Sequence, residues 1–300
     1  MSMKILPWRN EKKTMKNFAT IICLALILLP LQSIAQSRSF FDDSDDFRRI
    51  RIGLGAGGFF AGRHPANFYN GRRENENTIG NAWKNTVFMD NIRGRLQDRY
   101  GSENFEVYEF DLPERMRYRI ATAVSFRASL HVSRDASIFF NFNHVNLTAT
   151  DVFFLTVPHP IISQPIRVES RIWGREARTM LDVGFQWVDD LYARNWQWFY
   201  ELGVNVTNTR VRENMIEIEG LRHTIMNQGR FLNPGWSTVE TPESAWGIGI
   251  LGAFGFRYVI NPTASLDFGA TAYLHDINLP GYTRFHMSFN IFARLNFLMF

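Results

Sequence analysis

The 300-residue chain has a single cysteine, Cys23, and only one lysine after residue 35, Lys84. Cys23 lies in an apolar run near the N-terminus, so the rest of the chain has no disulfide framework and no thiolate chemistry. Arginine in place of lysine suits fixed, partly buried ion pairs better than a general solvated surface. Long hydrophobic runs are scarce as well. The stretch MKNFATIICLALILLPLQSIAQS sets Lys16 ahead of an apolar run from Phe18 to Leu31 and ends in the small-x-small Ser33-Ile34-Ala35. Those are the three parts of a secretory signal peptide. The run falls short of the roughly 20 apolar residues a spanning helix needs, and no second run of that length follows.

An excess of one charge is missing too. Removing residues 1–35 takes away five basic residues and one acidic one, which leaves 28 of each from totals of 33 and 29. A neutral mature chain has no basic footprint for a nucleic-acid partner. The seven histidines and the carboxylates show no metal-ligand spacing. Asp42, Asp43, Asp45 and Asp46 resemble a calcium loop only in charge, since the glycine turn and the closing Glu are lacking. GLGAGG lies in a strand pattern rather than between a strand and a helix, so it is no phosphate loop. The sequence implies neither metal nor cofactor.

What is present is alternation. In the last sixteen residues, Phe285, Met287, Phe289, Ile291, Ala293, Leu295, Phe297 and Met299 form one apolar series, and His286, Ser288, Asn290, Arg294 and Asn296 fall in the other. Period two means a strand, and this one is long against the usual five or six residues or so. Eight such stretches begin near residues 49, 115, 136, 166, 196, 245, 264 and 285. The third and fourth are expected to end near 149 and 188, and their apolar face switches near Val145 and Gly174, which predicts bulges or an extension beyond a membrane. Short connections (SRD, DDLYARN, NPT) alternate with long ones at about 61–114, 150–165, 214–244 and 277–284.

An even strand count with tight turns on one rim and long loops on the other is how bacterial outer-membrane barrels are built. The expected fold is all-β: a transmembrane antiparallel up-and-down barrel of eight strands, with long extracellular loops and a helix in the first loop. Residues 1–35 form the signal peptide, 36–48 an acidic periplasmic tail and 49–300 the barrel. Trp187, Trp196, Trp198, Tyr200, Trp246 and Tyr258 suit an aromatic girdle. The signal peptide ending at Ala35-Gln36, the opening strand RIGLGAGGFF and the aromatic terminal strand ending in Phe300 resemble small outer-membrane β-barrel proteins of the kind common in Bacteroidota, similar to porin-like or OmpA-type barrels. Phe300 departs from that pattern by falling in the polar series.

An eight-stranded wall leaves an interior that side chains can fill. The expected register turns Arg51, Arg117, Arg119, Arg127, Arg178, Arg257 and Arg294 inward with Glu176, Asp182, Glu201 and Asp267, and sets Asp267 opposite both Arg257 and Arg294. The favoured reading is a lumen closed by ion pairs, and the excess of arginine keeps an anion-conducting narrow porin as the alternative. At the loop-side mouth, His275 is expected opposite His286 with Ser288 one step deeper. His286-Met287-Ser288 superficially resembles the His-x-Ser pair of outer-membrane lipid A deacylases, which keeps a lipid-modifying enzyme as a further alternative, but the expectation is a protein that is not an enzyme. Ile79, Trp83, Val87, Phe88, Ile92, Leu96 and Tyr100 recur at four-residue steps and predict one amphipathic helix over 79–100. Its stripe packs over the mouth or onto a partner. The implied partners are outer-membrane lipid, the barrel-assembly machinery during insertion, and an envelope protein reached through loop 62–114; an accessory role in secretion also fits.

Overall fold

The computed structural model describes residues 50–133, 135–161, 163–190, 195–226 and 244–299. The signal peptide, the acidic tail and Phe300 lie outside the described residues.

Eight antiparallel strands close a ring: β1 (Ile50–Phe60), β2 (Ala121–His131), β3 (Ala136–Val157), β4 (Ile166–Asp190), β5 (Trp196–Ile218), β7 (Ser244–Asn261), β8 (Ala264–His275) and β9 (His286–Met299). β1 pairs with β9, and β4 with β5, so no strand of the ring is left with an open edge at barrel level. A ninth strand, β6 (Leu221–Thr224), folds back on β5 alone through a two-residue turn at Glu219-Gly220, both with positive φ. The β1–β9 ladder runs without a shift from Phe60↔Phe289 to Ile50↔Met299, so no bulge interrupts β9 near Leu298.

The apolar series of the last strand faces outward, as do Leu54, Val124, Phe126, Phe140, Phe142, Leu202, Val204, Ile248 and Phe254. Two aromatic levels bound this belt. Trp187 stacks on Tyr200, and Trp196 packs on Tyr258, at the short-turn rim. Trp246 stands 62% exposed toward the loop rim. Trp246 and Tyr258 lie at opposite ends of the belt on β7; at a rise of ~3.3 Å per residue and a tilt near ~40° they are about 30 Å apart in height. That matches the hydrocarbon thickness of a bilayer, about 30 Å.

The switch of face at Val145 and Gly174 is explained by where this belt ends. Outward residues Phe142, Leu181 and Val206 lie side by side, and the next outward row is His144, Thr179 and Asn208. Inward residues change in the opposite sense, from Ser137, Asn141 and Asn143 to Val145, Leu147, Ala149, Phe153 and Leu155. Backbone alternation is continuous along β3; the solvents on its two sides exchange. At this level a real bulge lies on the neighbouring ladder, between Arg175 and Glu176, where β5 carries an extra residue.

Strands β3, β4 and β5 therefore run past the expected loop boundaries at 150 and 214, and stand above the ring. β2 pairs with β3 only as far as Ala123↔Val145, and β7 with β5 only as far as Arg210↔Ser244. The exposed inner face of this upper sheet is covered by the first loop. Its helix is not one element: Ile79–Trp83 and Thr86–Tyr100 are separated where the Asn85 side chain accepts from the Phe88 N–H at 2.9 Å, an N-cap that satisfies an otherwise orphaned donor. Gly101, at φ 71, ends the second helix in the left-handed region. Val87 is 69% exposed, so the apolar stripe is Phe88, Ile92 and Leu96, packed with Ala66, Phe68, Tyr69, Ile79, Leu112 and Met116 against Phe153, Leu155, Ile172, Ile216 and Ile225.

Candidate functional site

The lumen is lined in layers. Nearest the short turns, Arg127 on β2 donates to Glu201 on β5 at 2.8 Å, and Arg294 on β9 donates to the same carboxylate at 3.1 Å and to Asp267 on β8 at 3.2 Å. Arg257 on β7 grips Asp267 with two bonds, from Nε at 2.7 Å and Nη2 at 3.0 Å. Gln186 on β4 donates to Glu201 at 2.8 Å and accepts from Arg257 at 3.1 Å, and Arg127 also reaches Asn141 on β3. Seven of the eight ring strands thus contribute a side chain. All of these side chains are at least nine-tenths buried, and charges this deep persist when each has a partner.

The eighth strand contributes space. Gly53 and Gly55 on β1 face inward, and a Cβ on Gly53 would overlap the Asn296 side chain while one on Gly55 would press on Ser125 and on the Arg294 stem. The glycine repeat of the opening strand is what admits Arg294.

Above this network, Asp182 accepts from Asn143 at 2.6 Å, Asn205 at 2.5 Å and the Tyr273 hydroxyl at 3.2 Å, with no arginine within bonding distance. Thr207, His275 and Ser288 then form a chain: Thr207 Oγ1 to His275 Nδ1 at 3.3 Å, and His275 Nε2 to Ser288 Oγ at 3.1 Å. Spacing in the sequence ties Ser288 to His286, whereas the fold bonds it to His275; the His286 ring lies 4.7 Å from the His275 ring and its Nδ1 faces the Arg284 carbonyl. Ser288 Oγ also accepts from the Gly62 N–H at 3.2 Å, and both Ser288 and His275 are fully buried. A serine on a histidine has the bonding of a nucleophile and its base, but here it has no exposed side from which a lipid ester could approach.

The third layer joins barrel and cap. Arg178 Nε donates to Glu176 Oε1 at 2.6 Å, and the Tyr69 and Tyr118 hydroxyls both donate to Glu176 Oε2. Burial, and then the Glu176 carboxylate beside it, push the Tyr69 hydroxyl pKa well above its usual 10. Tyr69 reaches this position because Gly174 has no side chain; a Cβ there would fall within the Tyr69 ring.

Two residues expected in the lumen are outside it. Arg117 and Arg119 are exposed, while Met116 and Tyr118 turn inward. The pairing slips by one residue between the Tyr118↔Ala149 bridge and the Ala123↔Val145 ladder, which reverses the alternation just before β2. The apolar cap takes a methionine and a tyrosine there better than two more arginines, since the nearby Glu176 carboxylate already pairs with Arg178 and accepts from the Tyr118 hydroxyl. The inner charges reduce to Arg51, Arg127, Arg178, Arg257 and Arg294 against Glu176, Asp182, Glu201 and Asp267, a near balance.

A closed antiparallel ring with an apolar outer belt and a polar interior meets the requirement that every backbone group in a bilayer be paired within the protein, and it has the form of bacterial outer-membrane barrels. No protein-family model and no curated protein matches the chain. Solved structures similar to it include Neisserial surface protein A, 8% identical with a TM-score of 0.36 over 83% of this chain and 96% of that one. Ail, the attachment invasion locus protein of Yersinia pestis, is 8% identical, with a TM-score of 0.35 over 84% and 99%. The outer membrane protein OprG from Pseudomonas aeruginosa is 10% identical, with a TM-score of 0.36 over 84% and 96%. It is the wall itself, apolar outward for the thickness of a bilayer, that makes this chain a β-barrel of the bacterial outer membrane.

Proposed function

We propose that the protein is a closed outer-membrane barrel, not an enzyme, whose capped extracellular part serves envelope contact. One observation carries the reading: the Arg127, Glu201, Arg294, Asp267, Arg257 network crosses the lumen with its charges paired, and of the inward arginines Arg51 alone has no acidic partner among the described residues. Placing Arg117 and Arg119 outside removes most of the cation excess on which an anion path would rest. The likeness to porin-like or OmpA-type barrels of the Bacteroidota kind belongs to this reading.

Contact with an envelope partner through loop 62–114 is supported by Val87, Tyr108 and Phe110, which stay exposed while the rest of the loop's apolar side chains pack inward. Tyr108 and Phe110 stack on one another at 5.2 Å, a flat aromatic surface of the sort found at binding hot spots. Planar-bilayer recording on the refolded protein tests closure. The expected result is a silent membrane, and stable anion-selective steps from the wild type would refute it.

A further inference from the structure

The outer wall carries an arginine cluster just above the lipid belt. Trp246 lies opposite Asn208 and marks the loop-side rim of the belt. Arg210 is the next outward residue of β5, about 5 Å higher for a tilted strand, and the headgroup layer beyond the hydrocarbon is itself only about 5–8 Å thick. The β5 bulge then directs two consecutive residues, Arg212 and Glu213, to the outside, opposite Arg175 on β4. Arg175, Arg212 and Glu213 line an open cleft of about 510 Å³ with Trp173, Met215 and Arg222, and Arg210 lies below it on the same outer face of β5.

The charges in the cleft do not cancel. Glu213 accepts from Arg175 at 3.3 Å and from the Trp173 indole N–H at 3.2 Å, and Arg222 is paired with Glu217 at 2.6 Å. Arg210 and Arg212 are exposed, and among the described residues neither has an acidic partner. The mature chain is neutral, so this unpaired pair is a local feature and not the overflow of a basic protein. Guanidinium groups match phosphate in a two-bond fork that a lysine cannot offer.

We propose that Arg210 and Arg212, with Arg175 and the cleft around Trp173, bind the phosphate of a phosphorylated glycolipid headgroup in the outer leaflet. The site rests on the placement of the barrel in the membrane and not on whether the lumen conducts. Phosphate at this level meets two guanidiniums that have no acidic partner among the described residues, while its sugar ring has Trp173 and Met215 to lie against.

The test is binding of the full mature chain, refolded in detergent, to bis-phosphorylated lipid A in mixed micelles, compared with the same lipid after phosphate removal. The wild type should prefer the phosphorylated form. Arg210→Gln with Arg212→Gln should weaken that binding about tenfold, two charge-assisted contacts being lost at an exposed site, and bring it to the level of the dephosphorylated lipid. Arg93→Gln, an exposed arginine of the cap helix whose ion-pair partner is Asp90 on the same helix, should leave it unchanged. Equal affinity of the wild type for both lipids, or full affinity in the double variant, overturns the proposal. Competition by inorganic phosphate at low millimolar concentration would overturn the headgroup in favour of a free ion. The heat-dependent gel shift reports that each variant is folded, and Arg212→Gln alone carries the same comparison if the double variant is not.

Discussion

Gly174 offers a way to separate the cap from the barrel. It lies on β4 between Ala149 and Asn214, above the lipid belt, and its missing side chain is the space occupied by the Tyr69 ring. Gly174→Ala adds one methyl group and displaces that ring. Tyr69 is fully buried, so its expulsion forfeits burial worth about 1.5–3 kcal/mol. It also breaks the bond to the Glu176 carboxylate, worth about 1.5–3 kcal/mol. Together these weaken docking of the first loop by about 3–6 kcal/mol, and even the low end raises the undocked population about a hundredfold. Limited proteolysis within residues 61–118 of the refolded protein reads that population. Cleavage should rise by about that factor while the heat-dependent gel shift of the barrel is unchanged, because the ring strands close below this level. Tyr69→Ala should behave alike, and the double substitution should cost little more than either single one, since both remove the same contact. Unchanged protease resistance in Gly174→Ala, or loss of the gel shift along with the cap, would refute the layered account.

Three further outcomes follow from the same geometry. Asp267→Asn removes the carboxylate shared by Arg257 and Arg294 and should cost about 3–5 kcal/mol of barrel stability, read as a lower urea midpoint; a midpoint within error of the wild type would mean the network carries little energy. Tyr69 is held protonated in the folded state, so its contribution is full below pH 10 and is lost as pH rises above that value; protease sensitivity of the first loop should increase in strongly alkaline buffer, and Tyr69→Phe should reduce that pH dependence. Ser288→Ala leaves the Gly62 N–H and His275 without their partner and should destabilise by about 1–3 kcal/mol without a catalytic effect. A lipid-hydrolysing activity that is present in the wild type and abolished by this substitution would contradict the structural role.

Most of the membrane wall could be read from residue order. Alternation in β1, β7, β8 and β9 is unbroken, because each of these strands has lipid on one side and lumen on the other for nearly its whole length. Turn lengths then fixed which ends meet, and that was enough to bring Asp267 opposite Arg257 and Arg294. The amphipathic stripe of the first loop was legible too, although Asn85 divides the helix and Val87 falls off the stripe.

What misled were places where the period stays at two while the surroundings change. β3 keeps its alternation through Val145, but above that level water replaces lipid outside and the cap replaces the polar lumen inside, so the hydrophobic face changes sides with no change in backbone. Extending the β2 alternation toward the N-terminus turns Arg117 and Arg119 inward, because the one-residue slip before β2 has no mark in the sequence.

Local order along the chain therefore determined a barrel of eight long strands, since strand period and turn chemistry act over a few residues. Only the tertiary structure decided that Glu201 joins Arg127 to Arg294 across the lumen, that Ser288 bonds His275 and not His286, and that Tyr69 fills the place of a side chain at Gly174. The first links strands three apart in the ring, the second runs diagonally between the neighbouring strands β8 and β9, and the third joins loop to wall. They depend on how the closed sheet sets its interior distances, a property no single segment carries.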